Sequence, residues 1–143
     1  MKKVILISGG SDGLGKAIAK KLAATHTVVI LASSVDKTTA TSLEVGCDFV
    51  AADVSNYENV EKSVAEIITK YGHIDCLVNN AGVWIEGLLE DNSPDDIARV
   101  LDVNTKGTIF LTKAVLPYGF VAPTLLHNEK HPARGAFRYT SSI

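Results

Sequence analysis

The stretch VILISGGSDGLGKAIA, residues 4–19, decides the fold. A short apolar run, Val4–Ile7, breaks at Ser8 into a turn holding Gly9, Gly10, Gly13 and Gly15, and the turn opens directly into a helical pattern. Glycine is costly to order and packs no side chain, so glycines at such a junction need a reason. A strand ending at Ser8 and a helix starting near Gly13 leave the first amide N–H groups of the helix without partners. Together with the helix dipole they make an anion site. Glycines let the turn reverse tightly and let a pyrophosphate approach the backbone with no Cβ in the way, and Gly15 lets the helix lie close to the sheet. Taken alone, the stretch also reads as a tight turn that binds nothing.

The same change of period recurs along the chain. Val4–Ile7, Val28–Leu31, Phe49–Ala51 and Ile74–Val78 lack apolar/polar alternation, the mark of strands buried on both faces. Leu14, Ala17, Ile18 and Leu22 form one helical stripe, and Val60, Val64, Ile67, Ile68 and Tyr71 form another. Ser55 and Glu58 read as a capping box ahead of the second. Residues 36–46 are threonine-rich and only weakly helical. A long helix is predicted from Ser93 towards Pro117, with Ser93 as N-cap, Pro94 at the first position, and Asp95 and Asp96 on the positive end of the dipole. Its apolar face carries Asn104, and a buried amide without partners costs about 1–3 kcal/mol. Either the backbone or a functional group must therefore satisfy it.

Alternating strands and helices predict an α/β fold of Rossmann type, a doubly wound parallel sheet with helices on both faces. Ligands of such sheets bind at the carboxyl ends of the strands. Residues 1–143 read as a single dinucleotide-binding domain. Within it, 118–143 form an irregular tail, with a loop from Gly119 to Arg134 and a short strand around Ala136–Thr140.

A chain of 143 residues with 46% hydrophobic and 21% charged residues can bury a core without staples. A net charge of −2 offers no basic excess for nucleic acid or an anionic membrane. The N-terminal apolar run is too short for a signal peptide, and no stretch approaches the about 18 apolar residues of a membrane span. A cytoplasmic location is expected. Cys47 and Cys76 read as free thiols in a reducing compartment. His127 and His131 stand four apart, but Pro132 interrupts any helix there, so an exposed loop and no metal are expected.

Four ordered motifs resemble the short-chain dehydrogenase/reductase family. The turn reads Ser8-Gly9-x-x-x-Gly13-x-Gly15, not G-x-G-x-x-G. AADV places Asp53 and Val54 after the third strand, LVNNAG places Asn80, Ala81 and Gly82 after the fourth, and DVNTKG places Asn104 in the long helix. The likeness spans residues 3–117 and is loose afterwards. It implies a nicotinamide dinucleotide held by Ser8, Gly9, Ser11, Asp12, Gly13, Leu14 and Gly15 of the turn, by Ser33 after the second strand, and by Asp53 and Val54. Asp53 would take the adenine amino group, and Asn80, Ala81 and Gly82 would line the ribose.

The chemistry implied is hydride transfer between nicotinamide and a small carbonyl or secondary alcohol. Asn104 would bind a water in a proton relay, and Ser142 would polarise the substrate oxygen. Family members use a tyrosine as acid/base with a lysine four residues on, because an unperturbed tyrosine near pKa 10 is a poor base at neutral pH. No such pair occurs here: Tyr57 is followed by Glu61, Tyr71 by Asp75 and Tyr118 by Ala122. The expectation is an oxidoreductase's coenzyme-binding part, cut before the acid/base pair and inactive by itself. The alternative is a non-catalytic dinucleotide-sensing or interaction module. Residues 118–143 read equally as an insertion, a frame-shifted stretch or an incomplete end.

Many NAD-specific members carry an aspartate after the second strand. Ser33 stands there in this sequence, with Ser34 beside it and Lys37 nearby, which favours NADP over NAD. Asp12 argues the other way, since NADP-using relatives often have a basic residue at that position. The uncovered sheet edge and apolar surface favour self-association into a homo-oligomer.

Overall fold

The computed structural model describes residues 2–118. Its sheet has strands β1 (Val4–Ser8), β2 (Thr27–Ala32), β3 (Asp48–Ala51) and β4 (Cys76–Val78), all parallel, in the order β3-β2-β1-β4. The helices are α1 (Gly13–Ala23), α2 (Val35–Val45), α3 (Tyr57–Tyr71), α4 (Pro94–Leu101) and α5 (Thr108–Val115). The architecture is the doubly wound, Rossmann-like sheet that the periodicity predicts.

Successive strand residues point to opposite faces, so an apolar run feeds two cores at once. Leu6, Val29, Leu31 and Val50 meet Val60, Val64 and Ile67 of α3 and Leu111 and Val115 of α5 on one face. Ile5, Ile7, Val28 and Ile30 meet Ala19 on the other, with Ile18 and Leu22 packed against them. The chain steps outward from β1 through β2 to β3, then returns to place β4 on the opposite flank of β1. That reversal opens a crevice at the carboxyl ends of β1 and β4.

Local readings are corrected at several points. The cap of α3 is Asn56, whose side chain accepts the Asn59 N–H, and not Ser55. Asp53 is the reason: one carboxylate oxygen takes both the Ser55 N–H (2.9 Å) and its hydroxyl (2.7 Å), which engages Ser55 one residue too early. In α1 the residues facing inward are Gly15 and Ala19, while Leu14 is 60% exposed. Close packing at Gly15 sets this rotation. Residues 36–46 do form a helix, α2, in which Thr38 and Thr41 are buried. Ile74 is buried just ahead of β4, which starts only at Cys76.

The long helix divides. α4 begins with the Ser93–Asp96 capping box and Pro94 in its first turn, but Asp102–Gly107 forms a π-helical segment before α5. The added residue turns the two halves relative to each other. Leu111 and Val115 are buried, whereas Ile97 and Leu101 are 42% and 56% exposed. The predicted single stripe is therefore two faces.

Cys47 and Cys76 are free and half-buried, and burial pushes both thiols up. Among the described residues no helix is long and apolar enough to cross a membrane, and no cluster of three or more His, Cys, Asp or Glu could hold a metal. Ser142, His127, His131 and the strand expected around Ala136–Thr140 lie outside the described residues.

Candidate coenzyme-binding site

Ser8 ends β1 almost fully buried, 2% exposed, and its hydroxyl oxygen accepts the N–H groups of Asn80 and Ala81, each at 3.1 Å. The Asn80 side-chain amide returns the contact, donating to the carbonyls of Ser8 (3.2 Å) and Gly9 (3.1 Å). These bonds lock the glycine turn and the Asn80–Gly82 segment into one wall at the switch in strand order.

The turn itself is held by backbone proximity. A Cβ on Gly15 would lie 2.2 Å from the Gly9 carbonyl oxygen, so only glycine lets α1 seat there. Gly13 has φ +51° and nothing within 4 Å of where a Cβ would stand, so the space in front of the helix start is open. Asp12 caps α1 by accepting the Gly13 N–H at 2.7 Å. The first N–H to pair back along the helix is that of Lys16, onto Asp12 O, which leaves the Leu14 and Gly15 amides as the helix's free donors.

These parts border one cavity of about 510 Å³ at the carboxyl edge of the sheet. Of the residues singled out from sequence, Gly9, Ser11, Asp12, Gly13, Leu14, Ser33, Asp53, Val54, Asn80, Ala81 and Gly82 line it. Ser8 and Gly15 do not; they stand behind the wall and shape it. Asp53 spends one oxygen on Ser55, and its other oxygen has no partner among the described residues.

Asn104 lies in the π segment and is exposed, not buried as its position in the stripe predicts. Its amide clamps the Val83 backbone: Oδ1 accepts the Val83 N–H at 2.8 Å and Nδ2 donates to the Val83 carbonyl at 3.0 Å. Within the described residues, the Val83 backbone satisfies the Asn104 amide. Asn104→Ala should change stability by no more than about 1 kcal/mol, while amide exchange at Val83 should accelerate measurably. An unchanged exchange rate would mean the clamp restrains nothing.

Sequence reading missed Arg99 and Val103, which line the cavity from the long helix. The signal was present as a row. Residues 99, 103 and 107 are spaced by four, and Gly107 packs so closely that a Cβ there would lie 2.6 Å from Val54 Cγ2. Arg99 is the cation among the described lining residues, in a cavity that Asp12 and Asp53 also line. A polyanionic ligand needs such a charge.

Residues 3–123 match the short chain dehydrogenase family. The chain is 39% identical over 132 residues to a sepiapterin reductase of Chlorobaculum tepidum, covering 80% of this chain and 52% of that protein. It is 38% identical over 120 residues to a meso-2,3-butanediol dehydrogenase of Serratia marcescens, covering 81% and 48%. Among solved structures it resembles a 3-ketoacyl-(acyl-carrier-protein) reductase from Brucella melitensis complexed with NADH, with TM-score 0.78 and 32% identity over 81% of this chain and 49% of that one. An alcohol dehydrogenase from Thermococcus sibiricus complexed with 5-hydroxy-NADP gives TM-score 0.77 and 31% identity, covering 82% and 53%. The chain thus spans about half the length of the curated relatives it matches. With the ordered motifs, the parallel sheet and this match agreeing, the chain belongs to the short-chain dehydrogenase family.

Proposed function

We propose that the chain is the coenzyme-binding portion of an NADP(H)-dependent oxidoreductase acting on a small carbonyl or secondary alcohol. The observation that carries this reading is convergence. Residues from four separate stretches of sequence border one cavity whose floor is a glycine turn with free amides and open space before it. Nothing lies within 4 Å of where a Cβ on Gly13 would stand, and this open space before the helix start suits a dinucleotide's pyrophosphate. The coenzyme, when bound, would donate hydride to a carbonyl or accept it from a secondary alcohol.

The chain's own residues bind and orient. The Leu14 amide faces the phosphates, and Arg99 adds attraction to the polyanion. The free oxygen of Asp53 accepts from the adenine amino group, and the Asn80–Gly82 segment supports the nicotinamide-side ribose. Asn104 holds the Val83 peptide at the far end of the cavity, and Ser142 is assigned to the substrate oxygen. The sequence contains no Tyr-x-x-x-Lys, so the behaviour expected of this chain is binding without turnover.

NADP is favoured over NAD by the end of β2. Ser33 is exposed, Ser34 caps α2 with no side-chain hydrogen bond, and Lys37 is exposed in the helix's first turn. Together these offer donors and a cation where a 2′-phosphate would lie. Asp12 opposes this less than its charge suggests, because its carboxylate is turned onto the Gly13 amide. Fluorescence titration with NADPH and NADH tests the reading. NADPH should bind about tenfold more tightly, a difference of 1.4 kcal/mol, and Ser33→Asp should reverse the order. Equal or tighter NADH binding would overturn the NADP assignment, and a folded chain that binds neither would overturn the coenzyme reading.

A further inference from the structure

We propose that Thr41 is a positioning residue for the coenzyme turn, aiming the Asp12 backbone amide at the dinucleotide's phosphates; this rests on the coenzyme reading above. Thr41 lies in α2 and is 3% exposed. Its hydroxyl donates to the Ser11 carbonyl across 2.8 Å, 30 residues away in sequence. Neighbouring threonines behave differently. Thr38 and Thr39 turn their hydroxyls back onto the carbonyls of Ser34 and Val35, the local bond that threonine commonly makes in a helix. Thr41 alone of the three reaches out of α2 to the turn.

The consequence follows from peptide geometry. In a planar trans peptide the C=O of one residue and the N–H of the next point in opposite directions. Drawing the Ser11 carbonyl towards α2 therefore directs the Asp12 N–H away from α2. Ser11 and Asp12 both line the cavity, and the Asp12 N–H has no acceptor among the described residues. Without the Thr41 hydroxyl this peptide is free to rotate and to present a carbonyl oxygen to an anion. The ion pair between Lys16 of α1 and Glu44 of α2, at 2.7 Å, joins the same two helices, but it is solvent-exposed and contributes little.

The test compares Thr41→Val with Thr41→Ser. Valine keeps the shape and removes the donor, and should weaken NADPH binding about tenfold, the worth of one hydrogen bond near 1.4 kcal/mol. Serine restores the donor and should bind within about twofold of wild type. In the wild-type chain the Asp12 amide proton resonance should move downfield at saturating NADPH. Valine binding as tightly as wild type, or serine as weakly as valine, overturns the role of Thr41 alone. Wild-type chain that binds no coenzyme overturns the coenzyme reading itself. If the valine variant does not fold, the wild-type spectrum decides: an Asp12 amide that stays still while the Leu14 and Gly15 amides respond refutes the proposal.

Discussion

Gly15→Ala should raise the Kd for a nicotinamide dinucleotide by about a hundredfold, equivalent to 2.7 kcal/mol. The added methyl would stand 2.2 Å from the Gly9 carbonyl oxygen, a backbone atom with no flexible end to yield. Either α1 lifts from the sheet or the Gly9 turn is displaced, and both movements carry the Leu14 amide away from the phosphates. Overpacking of this kind also destabilises by about 1–3 kcal/mol, visible in urea unfolding. Gly13→Ala is the control. A Cβ at Gly13 meets nothing within 4 Å, so its cost is confined to the positive φ of +51°, about 1–2 kcal/mol. Affinity lost equally in both variants would remove the distinction between a turn held by close packing and one held by backbone conformation.

Ser8→Ala should be the most damaging change to folding. The Ser8 hydroxyl is the acceptor for two backbone donors, the Asn80 and Ala81 N–H groups, in a place that is 2% exposed. Each orphaned donor costs about 1–3 kcal/mol, so a total of about 2–6 kcal/mol is expected against a typical domain stability of about 5–15 kcal/mol. The loss joins stability to function, because the same bonds fix the wall where β1 meets β4. Chemical unfolding should show the drop, and dinucleotide affinity should fall with it even where the variant remains folded. A stability change under about 1 kcal/mol would mean that something else satisfies those two amides.

The two variants show where the site was legible in the sequence. The glycine spacing after an apolar run points to an anion-binding turn and to close packing at Gly15. Asp53, Asn80 and Asn104 were found through motif order. Arg99 and Val103 were not, because they are ordinary residues of an amphipathic helix until Gly107 brings that helix against Val54. Thr41 was hidden for a similar reason. Threonine lowers helix propensity locally, and only its 2.8 Å bond to Ser11 gives that cost a purpose.

The capping error at Ser55 and the misplaced stripe in α1 share a cause. Neighbours along the chain suggest both, whereas a competing contact sets the outcome: the Asp53 carboxylate in one case and the Gly9 backbone in the other. The π segment is the largest instance. Spacing along a regular helix places Asn104 on a buried face, but it stands in solvent like Ile97 and Leu101 of α4, with its amide on Val83, while Leu111 and Val115 beyond the π segment are buried.

From the sequence alone came the succession of strands and helices, the burial of β1 and β2 on both faces, and the glycine turn, because periodicity and glycine spacing are local properties written residue by residue; β3 and β4, at the sheet edges, are only partly buried. Tertiary structure decided which groups come together: that the Ser8 hydroxyl serves two amides of a distant loop, that Arg99 lines the same cavity as Asp12 and Asp53, and that the Thr41 hydroxyl reaches Ser11. Those contacts join residues far apart in the chain. Hydrogen bonds and close packing depend on ångström distances that hydrophobic pattern does not encode.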